Sequence, residues 1–293
     1  MTAETAPARG PSAWLALCRP RLLPSAACDV LCGAALAGGL GLAGTPALLR
    51  VLATSLLLYA GGMVWNDVAD AKRDAKRFPD RPIPSGRVPR LLAALFGTAL
   101  LAAAWLLAPA APHGPLVLGM VAGVLLYDLV GSRVLVLGAP LLGLLRGANV
   151  ALGYLILGDP SLLLPWLAVA AYALYVALVV LHGHEEDAEA PLAEKSSLLL
   201  LTTAFLPFVP APFLPWGWLA AVAAAPQLLL TLDALRRTFD GRASVEARTG
   251  LMLRGLSRFT AALALGTGQW LLAGLCLALA WIVPPLLRRA RWT

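Results

Sequence analysis

The sequence predicts an all-α, polytopic membrane bundle of about nine transmembrane helices. Three observations carry that expectation. Of 293 residues, 59% are hydrophobic and only 13% charged, and the mean hydropathy is +0.78, which is too apolar for a water-soluble domain. The apolar residues fall in runs near the ~20 needed to cross a ~30 Å hydrocarbon core, where helices satisfy their own backbone groups. The bases behind the net charge of +7 sit mostly between those runs. They therefore read as topology signals, contacts to anionic lipid or a grip on phosphate, with the bilayer as partner and no nucleic acid.

Taken in order, residues 1–20 form a cytoplasmic lead-in, 21–284 one transmembrane domain and 285–293 a basic tail. MTAETAPARG lacks the apolar core of a cleavable signal peptide. Residues 12–19 make a short amphipathic segment ending at Arg19-Pro20-Arg21. Spans follow at about 22–43, 47–65, 91–110, 115–131, 134–157, 161–183, 196–210 and 216–232. A basic, weakly amphipathic segment at 236–260 precedes a ninth span at 261–283. Cys18, Cys28, Cys32 and Cys276 form no paired CxxC units and read as buried thiols.

With the N-terminus inside, most bases fall on one face, including the 72–90 cluster, Arg133, Lys195 and the arginines from Arg236 to Arg258. Only Arg288, Arg289 and Arg291 object. This topology implies a multi-pass protein of the bacterial cytoplasmic membrane, with its active site facing the cytoplasm. It also puts the 65–87 stretch and the acidic loop at 182–194 on the same side.

The chemistry concentrates in WNDVADAKRDAKRFPDRPIPSGR, residues 65–87. Asn66, Asp70 and Asp74 recur every four residues, so a helix aligns them on one face. Two carboxylates one turn apart, with a neutral oxygen before them, suit Mg²⁺ completed by water and phosphate oxygens. Lys72, Arg73, Lys76, Arg77, Arg81 and Arg87 surround them and suit the remaining phosphate charge. Arg81-Pro82-Ile83-Pro84 stiffens the chain after the helix, and Gly86 permits a turn back to the membrane.

Asn66-x3-Asp70-x3-Asp74 followed by Arg81-Pro82-Ile83-Pro84-Ser85-Gly86 resembles the first aspartate-rich motif of UbiA-type intramembrane prenyltransferases. The resemblance extends to Arg19-Pro20 and to the stretch from Tyr127 to Asn149. It implies nine transmembrane helices, an Mg²⁺ cofactor and an isoprenyl diphosphate donor. Asn66, Asp70 and Asp74 are then catalytic and metal-binding, and Arg19, Lys72, Arg73, Lys76, Arg77, Arg81, Tyr127 and Arg133 diphosphate-binding. Where the family often has Lys four residues beyond the tyrosine, this chain has Gly131, and Arg133 is the nearest base. Arg146-x-x-Asn149 is similar to a subgroup found in secondary-metabolite clusters.

An arginine at membrane depth is costly and usually faces a cavity or a partner. Arg146 is accordingly expected to be catalytic, with Asp29 and Asn149 lining the acceptor cavity; an Asp29–Arg146 ion pair is the structural alternative. Glu185, Glu186 and Glu189 stand where the family carries a second aspartate-rich motif and imply a further metal site. His182-x-His184 is by itself a weak zinc signal. The implied reaction is prenyl transfer to a small polar or aromatic acceptor. The alternatives are an intramembrane terpene cyclase and a transporter, although no inverted repeat supports the latter.

Overall fold

A computed structural model describes residues 11–39, 44–110, 112–187 and 191–281. A short helix, α1 (Pro11–Leu17), leads in. The chain then winds through α2 (Leu23–Leu36), α3 (Thr45–Arg77), α4 (Arg90–Leu107), α5 (His113–Leu129) and α6 (Leu135–Tyr154). It continues through α7 (Leu163–His184), α8 (Ala193–Phe205), α9 (Gly217–Arg236), α10 (Gly241–Gly266) and α11 (Trp270–Trp281). Among the described residues there is no strand. Seven helices are long and apolar enough to span a bilayer, and α2 and most of α11 are shorter apolar helices. These nine equal the expected number of spans, but α10 is not among them and the ninth differs from the expected one.

The last span departs from expectation. The segment at 236–260 is not a surface piece preceding one span at 261–283. Gly241–Gly266 is one 26-residue helix, and Gly268, at φ +79°, turns the chain back into α11. Helix α10 buries Leu251, Met252, Phe259 and residues 260–264, so it belongs to the bundle despite Arg254 and Arg258. Among the described residues, α10 therefore packs in the bundle with α2, α7, α8, α9 and α11. Arg50 Nε donates to Leu107 O, Trp216 N to Gly266 O and Gln269 Nε2 to Gly38 O at one end. Arg19 meets Asp67, and Arg90 Nε donates to Val68 O, at the other. Helix α11 runs back toward the Arg19 end, and the basic tail at 285–293 lies outside the described residues.

Helix α3 is 33 residues long, which at 1.5 Å per residue is about 50 Å, well beyond the hydrocarbon thickness. Its last three turns carry the charged stretch past the apolar layer. The following loop returns through hydrogen bonds from Ser85 N to Arg81 O and Val88 N to Pro82 O, with Gly86 at φ +75°. Ile83 and Val88 pack with Ala13, Leu17, Val64 and Val68, which seats α1 beneath the loop.

Helices α2 and α6 cross at backbone contact. A Cβ on Gly33 would lie 1.9 Å from Val150 O, and one on Gly153 would lie 2.0 Å from Val30 O. Only glycine admits that approach. Three of the four expected buried thiols are so: Cys28, Cys32 and Cys276 are free and buried, with Cys28 Sγ 3.4 Å from Cys276 O, while Cys18 is only half-buried.

Candidate active site

At the C-terminal end of α3, each acid is held by an arginine. Asp67 pairs with Arg19 at 2.5 Å, Asp70 with Arg73 at 2.6 Å and Asp74 with Arg81 at 2.5 Å. All three carboxylates are buried while their arginines are partly exposed. Arg19 has φ +45°, the only left-handed non-glycine backbone among the described residues. A β-substituted residue holds that conformation when its surroundings demand it, and here the Asp67 contact does. Arg81 also stacks 4.3 Å above the Phe78 ring.

The predicted stripe is real, because the helix runs unbroken through Asn66, Asp70 and Asp74. It turns Arg77 onto the acid face and Arg73 to its flank, and Lys72 and Lys76 to the opposite, exposed side. Across from α3, Arg133 reaches Ala69 O with Nη2 at 3.4 Å and acts electrostatically on Asp70. Tyr127 and Arg133 line a small cavity of about 170 Å³ with Gly131, Gly138 and His184. Arg133 therefore stands where the lysine absent at Gly131 would be useful.

Two acids escape the four-residue register. Asp67 lies three residues before Asp70 and seven before Asp74, an i, i+3, i+7 spacing that keeps it on the same face. Asp128, next to the end of α5, is 3% exposed; the Asn66 side chain hydrogen-bonds to it, and its Oδ2 has no hydrogen-bond partner. It stands next to Tyr127 at the helix end.

Arg146, Asp29 and Asn149 do come together, two to three helical turns deeper in the bundle. Asp29, fully buried, accepts from Arg146 Nη2 at 2.9 Å, Tyr172 OH at 2.6 Å and Asn149 Nδ2 at 3.1 Å. Arg146 also donates to Ser25 Oγ and Ser25 O, and Asn149 to Ala26 O. Arg146 Nε lies 2.9 Å from Asp29 Oδ2 but is not aligned for a hydrogen bond. Nearly every donor is consumed within the network. The network ties α2, α6 and α7 together through the Asp29–Arg146 ion pair.

The acidic loop is less complete. Glu185 is buried against Lys195, Glu186 is half-buried, and Glu189 lies outside the described residues. Among the described residues, no three His, Cys, Asp or Glu side chains converge on a metal position. His182 does not form a zinc site with His184. Its Nδ1 lies 3.0 Å from Thr249 Oγ1 and its Nε2 2.9 Å from Ser196 Oγ, while His184 is exposed. Ser196 and Ser197 accept from Arg248, a buried arginine without an acidic partner among the described residues, which the sequence did not single out.

The model of the UbiA prenyltransferase family matches residues 28–253. A digeranylgeranylglyceryl phosphate synthase from Methanopyrus kandleri is 31% identical over 283 residues, covering 86% of this chain and 99% of that protein. A protein of the same description from Methanothrix thermoacetophila is 36% identical over 134 residues, 43% of this chain and 46% of its own length. These relatives do not belong to the secondary-metabolite subgroup suggested by Arg146-x-x-Asn149. Two solved structures share the fold. One, reported for digeranylgeranylglyceryl phosphate synthase in membranes, has a TM-score of 0.66 at 16% identity and covers 87% of this chain and 97% of that one. The other, an apo UbiA homolog from Aeropyrum pernix, has a TM-score of 0.64 at 21% identity and covers 82% and 96%. The motif at the end of α3, the helical bundle and the relatives agree over most of the length: the chain belongs to the UbiA family of intramembrane prenyltransferases.

Proposed function

We propose that this prenyltransferase moves an isoprenyl group from a prenyl diphosphate to a hydroxyl on a small polar acceptor, and that a glyceryl phosphate bearing one prenyl chain is the acceptor class to test first. The observation that carries the donor half is the row of carboxylate–arginine pairs at the end of α3, with Arg133 opposite. The acceptor half comes from the relatives' description as digeranylgeranylglyceryl phosphate synthases.

The donor set of Asn66, Asp70 and Asp74 fits a hard divalent cation, and the unpartnered Asp128 Oδ2 beside it marks local negative charge left without a partner. When bound, Mg²⁺ would neutralise charge on the leaving diphosphate. The arginines now paired with acids exchange partners when the donor arrives. Arg19, Arg73, Arg81 and Arg133 turn to phosphate oxygens, and the acids become available. Arg77 lies on the same face, while Lys72 and Lys76 contribute only long-range attraction. Tyr127 borders the diphosphate position from α5. Breaking the carbon–oxygen bond to diphosphate leaves an allylic cation, which the apolar bundle shields from water. The acceptor oxygen then bonds to that carbon and its proton is lost. Arg146, Asp29 and Asn149 hold α2, α6 and α7 in register around this space. Glu185 and Glu186 supply the second acidic group once Lys195 releases Glu185. The site faces the cytoplasm, the side on which the bases cluster.

Membranes containing the protein, given labelled geranylgeranyl diphosphate, Mg²⁺ and geranylgeranylglyceryl phosphate, should yield a doubly prenylated phospholipid. A hydroxylated aromatic acceptor should give far less product. Product formed with no acceptor added would replace transfer by cyclisation. Undiminished turnover of Asp70→Ala and Asp74→Ala, or in EDTA, would remove the diphosphate-site assignment.

A further inference from the structure

Asp128 occupies a position that is unfavourable for a carboxylate on every count. It is 3% exposed and sits one residue before the end of α5, where the negative end of the helix dipole repels an anion. Asp70 and Asp67 are its charged neighbours, and the nearest base acting on it, Arg19, is bonded to Asp67. Its Oδ2 is buried with no hydrogen-bond partner. A buried carboxylate with an open oxygen between two others lacks a compensating positive charge.

The Asn66 side chain hydrogen-bonds Asp128 across the α3–α5 contact. A carboxylate only accepts, so the Asn66 amide nitrogen must face it. One residue thus provides an open oxygen and fixes the orientation of another.

We propose that Asp128 is the second-helix carboxylate of the divalent-cation site, orienting Asn66 and offering Oδ2 to the cation or to a water bound to it. The inference rests on the metal–diphosphate reading above and extends it from one helix to two. Mg²⁺ uses one or two carboxylates, with phosphate and water completing its shell, so it needs no convergence of three acids. The site would thereby tie the end of α5 to α3 upon loading.

The test is Mn²⁺ binding by electron paramagnetic resonance on purified protein, with inorganic pyrophosphate as the phosphate probe. Thermal unfolding with and without the metal accompanies it. Asp128→Asn should weaken Mn²⁺ binding by about 10- to 100-fold, the range seen when groups supporting a metal site are altered. Asp128→Glu should recover part of that loss. Without metal, Asp128→Asn should unfold at or above the wild-type temperature, because a buried unpaired charge has been removed. The metal-induced rise in unfolding temperature should shrink. Wild-type Mn²⁺ affinity in Asp128→Asn overturns the proposal, as does a lower unfolding temperature of the metal-free variant with an unchanged metal-induced rise. Wild-type protein that binds no Mn²⁺ with pyrophosphate overturns the metal reading itself, and is thereby distinguished from failure of the Asp128 assignment alone.

Discussion

Replacing Asp29 by leucine while Arg146 remains should cost the bundle about 3–5 kcal/mol, the loss expected when one member of a buried ion pair is removed. The size follows from the surroundings. Asp29 is completely buried and collects donors from Arg146, Tyr172 and Asn149 at 2.6–3.1 Å. Its loss strands a guanidinium whose side chain is only 10% exposed, along with a tyrosine hydroxyl and an amide. Arg146→Met alone strands the Asp29 carboxylate and should cost a similar amount. The double variant Asp29→Leu/Arg146→Met removes both charges together, and such exchanges are often neutral. It should therefore recover most of the stability of either single variant. The assay is thermal unfolding in detergent followed by tryptophan fluorescence. At roughly 2–4 °C per kcal/mol, each single variant should fall by on the order of 10 °C. A double variant as unstable as the singles would refute the reasoning, as would single variants within about 1 kcal/mol of wild type. Prenyl transfer by the double variant distinguishes the two roles of Arg146. Retained turnover supports the lock, and a stable but inactive double variant would restore Arg146 to the reacting cavity.

Four further outcomes follow from the same geometry. Gly33→Ala and Gly153→Ala each put a methyl group about 2 Å from a facing carbonyl oxygen and should cost about 1–3 kcal/mol or more in unfolding assays. Gly119→Ala, with nothing within 4 Å, should cost nothing measurable. Arg81→Met, which removes the partner of Asp74 and a charged phosphate contact worth about 1.5–3 kcal/mol, should lower kcat/KM for the donor by roughly ten- to a hundredfold. Lys72→Gln and Lys76→Gln, exposed on the far side of α3, should stay within about twofold of wild type, the range of neutral surface changes. In a Cys18→Ser background, cysteines at Ser85 and Asp240 should label from the same face of sealed vesicles and one at Ser161 from the other. Labelling of the Asp240 position from the Ser161 face would show that α10 does not cross.

The all-helical membrane class and the acid stripe of α3 were legible in the sequence, because both depend on local spacing. Runs of about twenty apolar residues have few other solutions, and Asn66, Asp70 and Asp74 share a face in any helix. Gly86 as the turning point was legible for the same reason, since its backbone freedom is intrinsic. Asp67 was equally legible at i, i+3, i+7, but the stricter four-residue register passed over it. The division of 236–283 into two helices was not legible. Arg254 and Arg258 lower the hydropathy of α10 below that of a free-standing span, and it is tolerated only because neighbouring helices surround it. Distance in the chain concealed the rest. The Asp29–Arg146 lock closes over 117 residues, and Arg19 reaches Asp67 over 48. Asp128 becomes notable only once α5 places its carboxylate beside Asn66 and leaves an oxygen without a partner. Sequence alone thus determined which polar and acidic residues share one face of α3, through a period that any helix obeys. Tertiary structure decided which charges compensate one another, because pairing inside a bundle depends on which helices touch, and no local spacing encodes that.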